Sequence, residues 1–275
     1  MIGSPFPAPA ASDVIVHDDA ASLASDVASR LLERLEEAQS RGEVPQIVLT
    51  GGSIADALHR ELARRAPDCS VDWSRVVIWW GDERFVPSSS QERNARQARE
   101  ALLDHLERLD HLALDPANVH EVPATDEVAS VEESAAAYSA SLRTHGADFF
   151  EVLMLGVGPD GHVASLFPGH PALETVDEIA VAVHDSPKPP PLRVSLTFDA
   201  LACAKAVWFL VNGTEKASAV AAALAGGDRT EIPARGVIGT EETVWHIDAF
   251  AASELSDSAD AHPSGVDGQP SGEVT

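Results

Sequence analysis

The chain has 275 residues with 19 basic against 44 acidic side chains, a formal charge of −25, and 44% apolar content. That is enough apolar material for one large α/β domain or two smaller ones. The acidic balance argues against nucleic acid and anionic membranes as partners, because both demand clustered Lys and Arg.

Two cysteines, Cys69 and Cys203, leave no room for a disulfide framework or a Cys-rich metal site and suit a reducing cytosol. Residues 1–12 carry no basic residue and no apolar run of signal-peptide length, and no stretch approaches a membrane span. A cytoplasmic protein is the expectation. An anionic ligand would then require the few basic residues to gather in one place.

In chain order, the Pro- and Ala-rich residues 1–12 read as a flexible N-terminus, and 13–252 read as the folded domain. Residues 253–275, rich in Ser, Gly, Pro and acids without Lys or Arg, read as a disordered acidic tail. Strands are expected at 14–17, 46–50, 76–80, 150–156, 179–183, 193–197, 206–211 and 244–247. Several are continuous apolar runs, the pattern of strands covered on both faces. Helices are expected at about 19–38, 53–65, 92–108, 129–144 and 214–225, the last opening after a Gly213–Thr214 cap. Such alternation predicts an α/β fold, a Rossmann-like, doubly wound and mostly parallel sheet flanked by helices. Ligands of such sheets sit outside the carboxyl ends of the strands.

Five unusual loops follow strands at that end. Thr50-Gly51-Gly52-Ser53 lets the backbone approach a ligand and opens a helix whose free N–H groups suit an anion; Ser53 would cap the helix or donate to a phosphate oxygen. The same loop also reads as a tight βα turn. Trp80-Gly81-Asp82-Glu83-Arg84-Phe85-Val86-Pro87 puts three charges after an apolar strand, either a clamp in which Arg84 grips phosphate or carboxylate, or a local ion-pair turn. Asn94 starts a helix close by. Leu155-Gly156-Val157-Gly158-Pro159-Asp160-Gly161-His162 carries an imidazole suited to proton transfer near neutral pH, or a structural histidine. No second cluster with metal-ligand spacing accompanies Asp160 and His162, so no metal is expected. Asp185-Ser186-Pro187-Lys188-Pro189-Pro190-Pro191-Leu192-Arg193 presents Lys188 between stiff prolines, as a phosphate contact or within a polyproline spacer. Asn212-Gly213-Thr214-Glu215-Lys216 adds Lys216, as a further cation or as helix decoration.

The ordered set TGGS, GDERFVP, LGVGPDGHVASLFPG, SPKPPPLR and NGTEKA resembles the glucosamine-6-phosphate isomerase/6-phosphogluconolactonase family, and specifically its lactonases, from about residue 14 to 252. The resemblance implies a fold related to glucosamine-6-phosphate deaminase and hydrolysis of a phosphorylated sugar lactone in the pentose phosphate pathway. It implies that His162 is the catalytic histidine and that Arg84 and Lys188 hold the phosphate, with Gly51, Gly52 and Ser53 lining the same pocket. Asp160 would orient the histidine or shape the turn, and Asp82 would position Arg84 or face sugar hydroxyls. A δ-lactone is an activated ester, so one positioned base suffices and no organic cofactor is expected. The oxyanion would fall to backbone N–H groups of the glycine loop or to Arg84. Two rivals are a deaminase/isomerase and a non-catalytic phosphosugar-binding regulator. The deaminases resemble Asp-Gly-His followed by Phe-Asn-Glu-Pro, whereas Ser165-Leu166-Phe167-Pro168 here lacks the carboxylate. A regulator would need a DNA-binding segment or partner domain, for which charge and length offer nothing.

Overall fold

The structure, a computed structural model, describes residues 12–255. The strands are β1 (Ser12–His17), β2 (Gln46–Leu49), β3 (Val77–Trp80), β4 (Asp82–Arg84), β5 (Phe150–Leu155), β6 (Ala180–Val183), β7 (Arg193–Leu196), β8 (Ala204–Val211) and β9 (Glu242–Asp248). The helices are α1 (Ala20–Ser40), α2 (Ser53–Arg65), α3 (Asn94–Ala98), α4 (Asp104–Leu106), α5 (Val131–His145), α6 (Phe198–Leu201) and α7 (Ala217–Leu224). A π-helical stretch, Arg99–Leu103, joins α3 to α4, so the helix expected over 92–108 is three short pieces.

Six strands form one parallel sheet in the order β1-β9-β8-β5-β2-β3. Alternation along each strand, with both faces covered, explains why the central runs 47–49, 77–80, 152–155 and 206–211 are apolar. Ile47, Ile78, Trp80, Val152, Met154 and Trp208 pack with α1, α2 and α3 on one face. Their neighbours Val48, Trp79, Leu153, Leu155, Phe209 and Trp245 pack with α5 and α7 on the other. α1 is held at its start by a reciprocal cap between Asp19 and Ser22 and buries Leu23, Val27, Leu31 and Leu35 at helical spacing.

From β2 the chain steps outward to β3, and then β5, β8 and β9 build on the opposite side. β2 and β5 therefore flank the point where strand order reverses, and their carboxyl ends open the crevice in which such sheets bind ligands. β4, β7 and β6 form a separate antiparallel sheet. β4 was expected to be loop; Asp82–Arg84 instead pairs with Arg193–Ser195, which ties the charged turn to the proline-rich loop.

The expected flexible N-terminus lies outside the described residues except for Ser12, which begins β1. Residues 256–275 of the expected tail also lie outside them. Residues 253–255 do not behave as tail, since Leu255 packs partly against the core and the Glu254 carboxylate accepts from Ser218 Oγ at 2.7 Å. Among the described residues no helix is long and apolar enough to cross a membrane.

Candidate active site

The carboxyl ends of β2, β3 and β5 meet the β6–β7 loop around a cleft of about 270 Å³. Seven residues singled out from the sequence line it: Gly51, Gly52, Asp82, Arg84, His162, Lys188 and Lys216. Arg193 and Asn94, not singled out as site residues, line it too. Ser53 lies in an adjoining cavity of about 110 Å³ that shares Gly51, Gly52 and Lys216.

Ser53 does not cap α2. The cap position is Gly52, at φ +101° and without a side-chain hydrogen bond, and Ser53 already belongs to the first turn. The first amides of α2 are thus left without a side-chain cap. Gly213, at φ +97°, likewise provides no side-chain cap, and Thr214–Lys216 forms a 3-10 turn before α7. The Asp248 carboxylate steadies that loop by accepting from Gly213 N at 3.0 Å.

Asp160 stands behind His162, its Oδ1 2.5 Å from the imidazole Nδ1. Burial alone would raise the Asp160 carboxyl, but the hydrogen bond and charge of His162, with Lys188 at 4.0 Å, hold it at about 2. The carboxylate is therefore ionised and accepts from an Nδ1–H, an arrangement that in a neutral imidazole leaves the lone pair on Nε2. Among the described residues Nε2 makes no hydrogen bond. A side chain at position 158 would strike both the imidazole and the Asp160 carboxylate, so only glycine leaves room for the pair. Phe167 supports the ring from its other side, with centroids 4.5 Å apart.

Asp82 does not position Arg84. Its Oδ2 accepts from Ser165 Oγ at 2.6 Å and lies 3.9 Å from Arg193 Nη1. Arg193 is buried and also donates to the carbonyls of Lys188, Pro189 and Pro190 at 3.1–3.2 Å, fixing the loop that presents Lys188. Glu83 does not neutralise Arg84 by an ion pair either. Fully buried, it accepts from the backbone N–H groups of Arg84, Asn94 and Ala95 at 2.7–2.8 Å, with Arg93 at 3.9 Å. Burial pushes the Glu83 carboxyl up, against the pull of Arg93 and the three amides. Arg84 donates to the Glu92 carbonyl at 2.6 Å, leaving its buried Nε without a partner.

Four cations, Arg84, Lys188, Arg193 and Lys216, thus line one cleft, and two of the chain's three lysines are among them. Burial lowers Lys188 and Arg193 from their ordinary values. Asp160 opposes this at Lys188 and Asp82 at Arg193, while neighbouring cations, Lys216 and Arg84 respectively, add to it. Asn94, 2% exposed, donates to the Asp82 carbonyl at 2.9 Å and has an unpartnered Oδ1. Arg193 was hidden inside a strand reading and Asn94 inside a helix start. Only the long-range pairing of β4 with β7 brings Arg193 to Asp82. The glycine-loop amides expected for an oxyanion are largely committed, Gly156 to Thr50 Oγ1, Gly158 to the His162 carbonyl and Gly161 to the Gly158 carbonyl.

The model of the glucosamine-6-phosphate isomerases/6-phosphogluconolactonase family matches residues 18–245. A 6-phosphogluconolactonase of Streptomyces coelicolor is 44% identical over 251 residues, 88% of this chain and 94% of that protein. The crystal structure of a 6-phosphogluconolactonase from Thermotoga maritima superposes with a TM-score of 0.74 at 28% identity, covering 86% of this chain and all of that one. A monomeric glucosamine-6-phosphate deaminase shares the fold, with a TM-score of 0.72 at 18% identity, 88% of this chain and 99% of that one. The chain belongs to the glucosamine-6-phosphate isomerase/6-phosphogluconolactonase family.

Proposed function

We propose that the protein hydrolyses 6-phospho-D-glucono-1,5-lactone to 6-phospho-D-gluconate, in the cytoplasm, with His162 as the general base. The observation that carries this reading is an imidazole fixed through Nδ1 to an ionised carboxylate, with its Nε2 unbonded, in a cleft lined by four cations. In the reaction Nε2 takes a proton from water as the water oxygen attacks C1. Asp160 stabilises the imidazolium that forms. As the tetrahedral species collapses and the bond from C1 to the ring oxygen breaks, the imidazolium returns its proton to that oxygen.

Arg84, Lys188 and Lys216 hold the phosphate, while Arg193 keeps the Lys188 loop in place. Gly51 and Gly52 line the cleft and their amides have no hydrogen-bond partner among the described residues, which makes them better candidate oxyanion donors than the committed amides of Gly156 and Gly158. A deaminase would place a carboxylate where Phe167 is buried in the core. The test is acid release from freshly prepared 6-phosphogluconolactone, with spontaneous opening subtracted. No acceleration above that background would overturn the reading.

A further inference from the structure

Away from the cleft, the parallel register of β1 and β9 pairs Ile15 with His246 and His17 with Asp248. Side chains alternate along a strand, so His17 and His246 emerge on the same face, the one α1 covers. α1 contributes Asp26 to this spot. His17 Nε2 lies 3.3 Å from His246 Nδ1, and Asp26 Oδ2 lies 4.0 Å from the same Nδ1. The three ligand atoms all fall within 4.8 Å of one another. His246 is fully buried; its Nε2 has no partner, and its Nδ1 has only His17 within hydrogen-bond distance, with Asp26 at 4.0 Å.

We propose that His17, Asp26 and His246 form a binding site for one zinc-like transition-metal ion that fastens the edge strand β1 to β9 and α1. Two imidazoles and one carboxylate are a borderline donor set, suited to Zn²⁺ or Co²⁺ rather than to Mg²⁺ or Ca²⁺. Zinc–nitrogen bonds of about 2.0–2.1 Å at tetrahedral angles place two ligand nitrogens about 3.3 Å apart. The His17–His246 pair already has that edge, so only the Asp26 carboxylate must close in. Its competitor is Arg30, whose Nε lies 2.8 Å from Asp26 Oδ2, but both side chains are at least 40% exposed. Exposed pairs of that kind contribute about 0–1 kcal/mol, little resistance to a metal ion. Three protein ligands leave a fourth position for water.

The experiment is titration of the purified full chain with Co²⁺, followed by its visible absorption, and with Zn²⁺ by calorimetry and thermal midpoint. One equivalent should bind and raise the midpoint. His17→Asn and Asp26→Asn should each weaken binding at least tenfold without changing lactone hydrolysis, while His162→Asn leaves binding intact. Asp26, with a side chain 40% exposed, keeps the test usable even if replacing the buried His17 or His246 prevents folding. Binding that survives both the His17 and Asp26 substitutions but vanishes in His162→Asn would put the metal at the Asp160–His162 pair and overturn the proposal. Absence of saturable binding would overturn it equally.

Discussion

Replacing His162 by Asn separates the chemistry of the imidazole from its place in the fold. Asn is polar and smaller, so it fits the space, but its amide accepts no proton at neutral pH. The packing lost is the contact of one ring with Phe167, a cost of about 1 kcal/mol by comparison with typical substitutions. General-base catalysis contributes about 10²–10⁴-fold, so kcat should fall by that factor, equivalent to about 3–5 kcal/mol of transition-state stabilisation. The catalytic loss should therefore exceed the stability loss several-fold. The assay follows acid release from fresh lactone at several enzyme concentrations, with the uncatalysed rate subtracted, alongside a denaturant titration of both proteins. A folded Asn variant within threefold of wild-type kcat would refute the assignment.

Gly158→Ala drives a methyl group into both His162 and Asp160; because misplacement by about 1 Å can cost 10²-fold, kcat should fall at least that far, as steady-state kinetics will read. Lys188→Ala removes one charged contact of about 1.5–3 kcal/mol, so KM for the phosphorylated lactone should rise about tenfold or more with kcat little changed. For unphosphorylated gluconolactone, wild-type kcat/KM should be lower and Lys188→Ala should alter it little; equal effects on the two substrates would dissolve the phosphate-clamp assignment. His59, fully buried in α2, is lowered by burial to about 4 from 6.5, with Asp56 opposing weakly. The unfolded chain then binds the extra proton between those values, so stability present above about pH 6.5 is lost as pH falls toward 4, by at most about 3 kcal/mol. Urea titrations at pH 7 and 4.5 should show a smaller acid-side loss in His59→Leu than in wild type.

The parallel sheet was legible because its strands are covered on both faces, which makes runs such as residues 47–49 and 152–155 apolar at every position. Gly158 and His162 were legible for the opposite reason. Glycine and histidine after such a strand serve packing poorly, so their presence marks a loop that does something else. What escaped was long-range and polar. Asp82–Arg84 reads as a loop by composition, yet it is a strand whose acidic residues are consumed elsewhere, Asp82 by Ser165 and Arg193 and Glu83 by the amides that start α3. Nothing local in the sequence links position 82 to position 193. The pairing of two imidazoles 229 residues apart is hidden for the same reason.

An acidic protein that takes an anionic substrate must reverse its own field locally, and the cleft does so unevenly. Arg193 is committed to Asp82 and to three carbonyls of the proline-rich loop, which leaves Arg84, Lys188 and Lys216 as the donors available to a phosphate. Burial is the main cause that lowers Lys188 and Arg193, with neighbouring cations adding to it, and a bound phosphate would offset both. Beside His162 the sign is opposite, because Asp160 stays ionised there, 4.0 Å from Lys188. On the proposed reaction the substrate reaches this spot as a neutral ester and leaves it as a carboxylate. Once His162 has returned its proton to the ring oxygen the product is a neutral carboxylic acid, and its charge appears when that acid gives a proton to solvent; like charges at short range in a partly desolvated cleft repel. On the proposed reaction, the Asp160 carboxylate would first steady the imidazolium and then, by repelling the acid formed, favour product release.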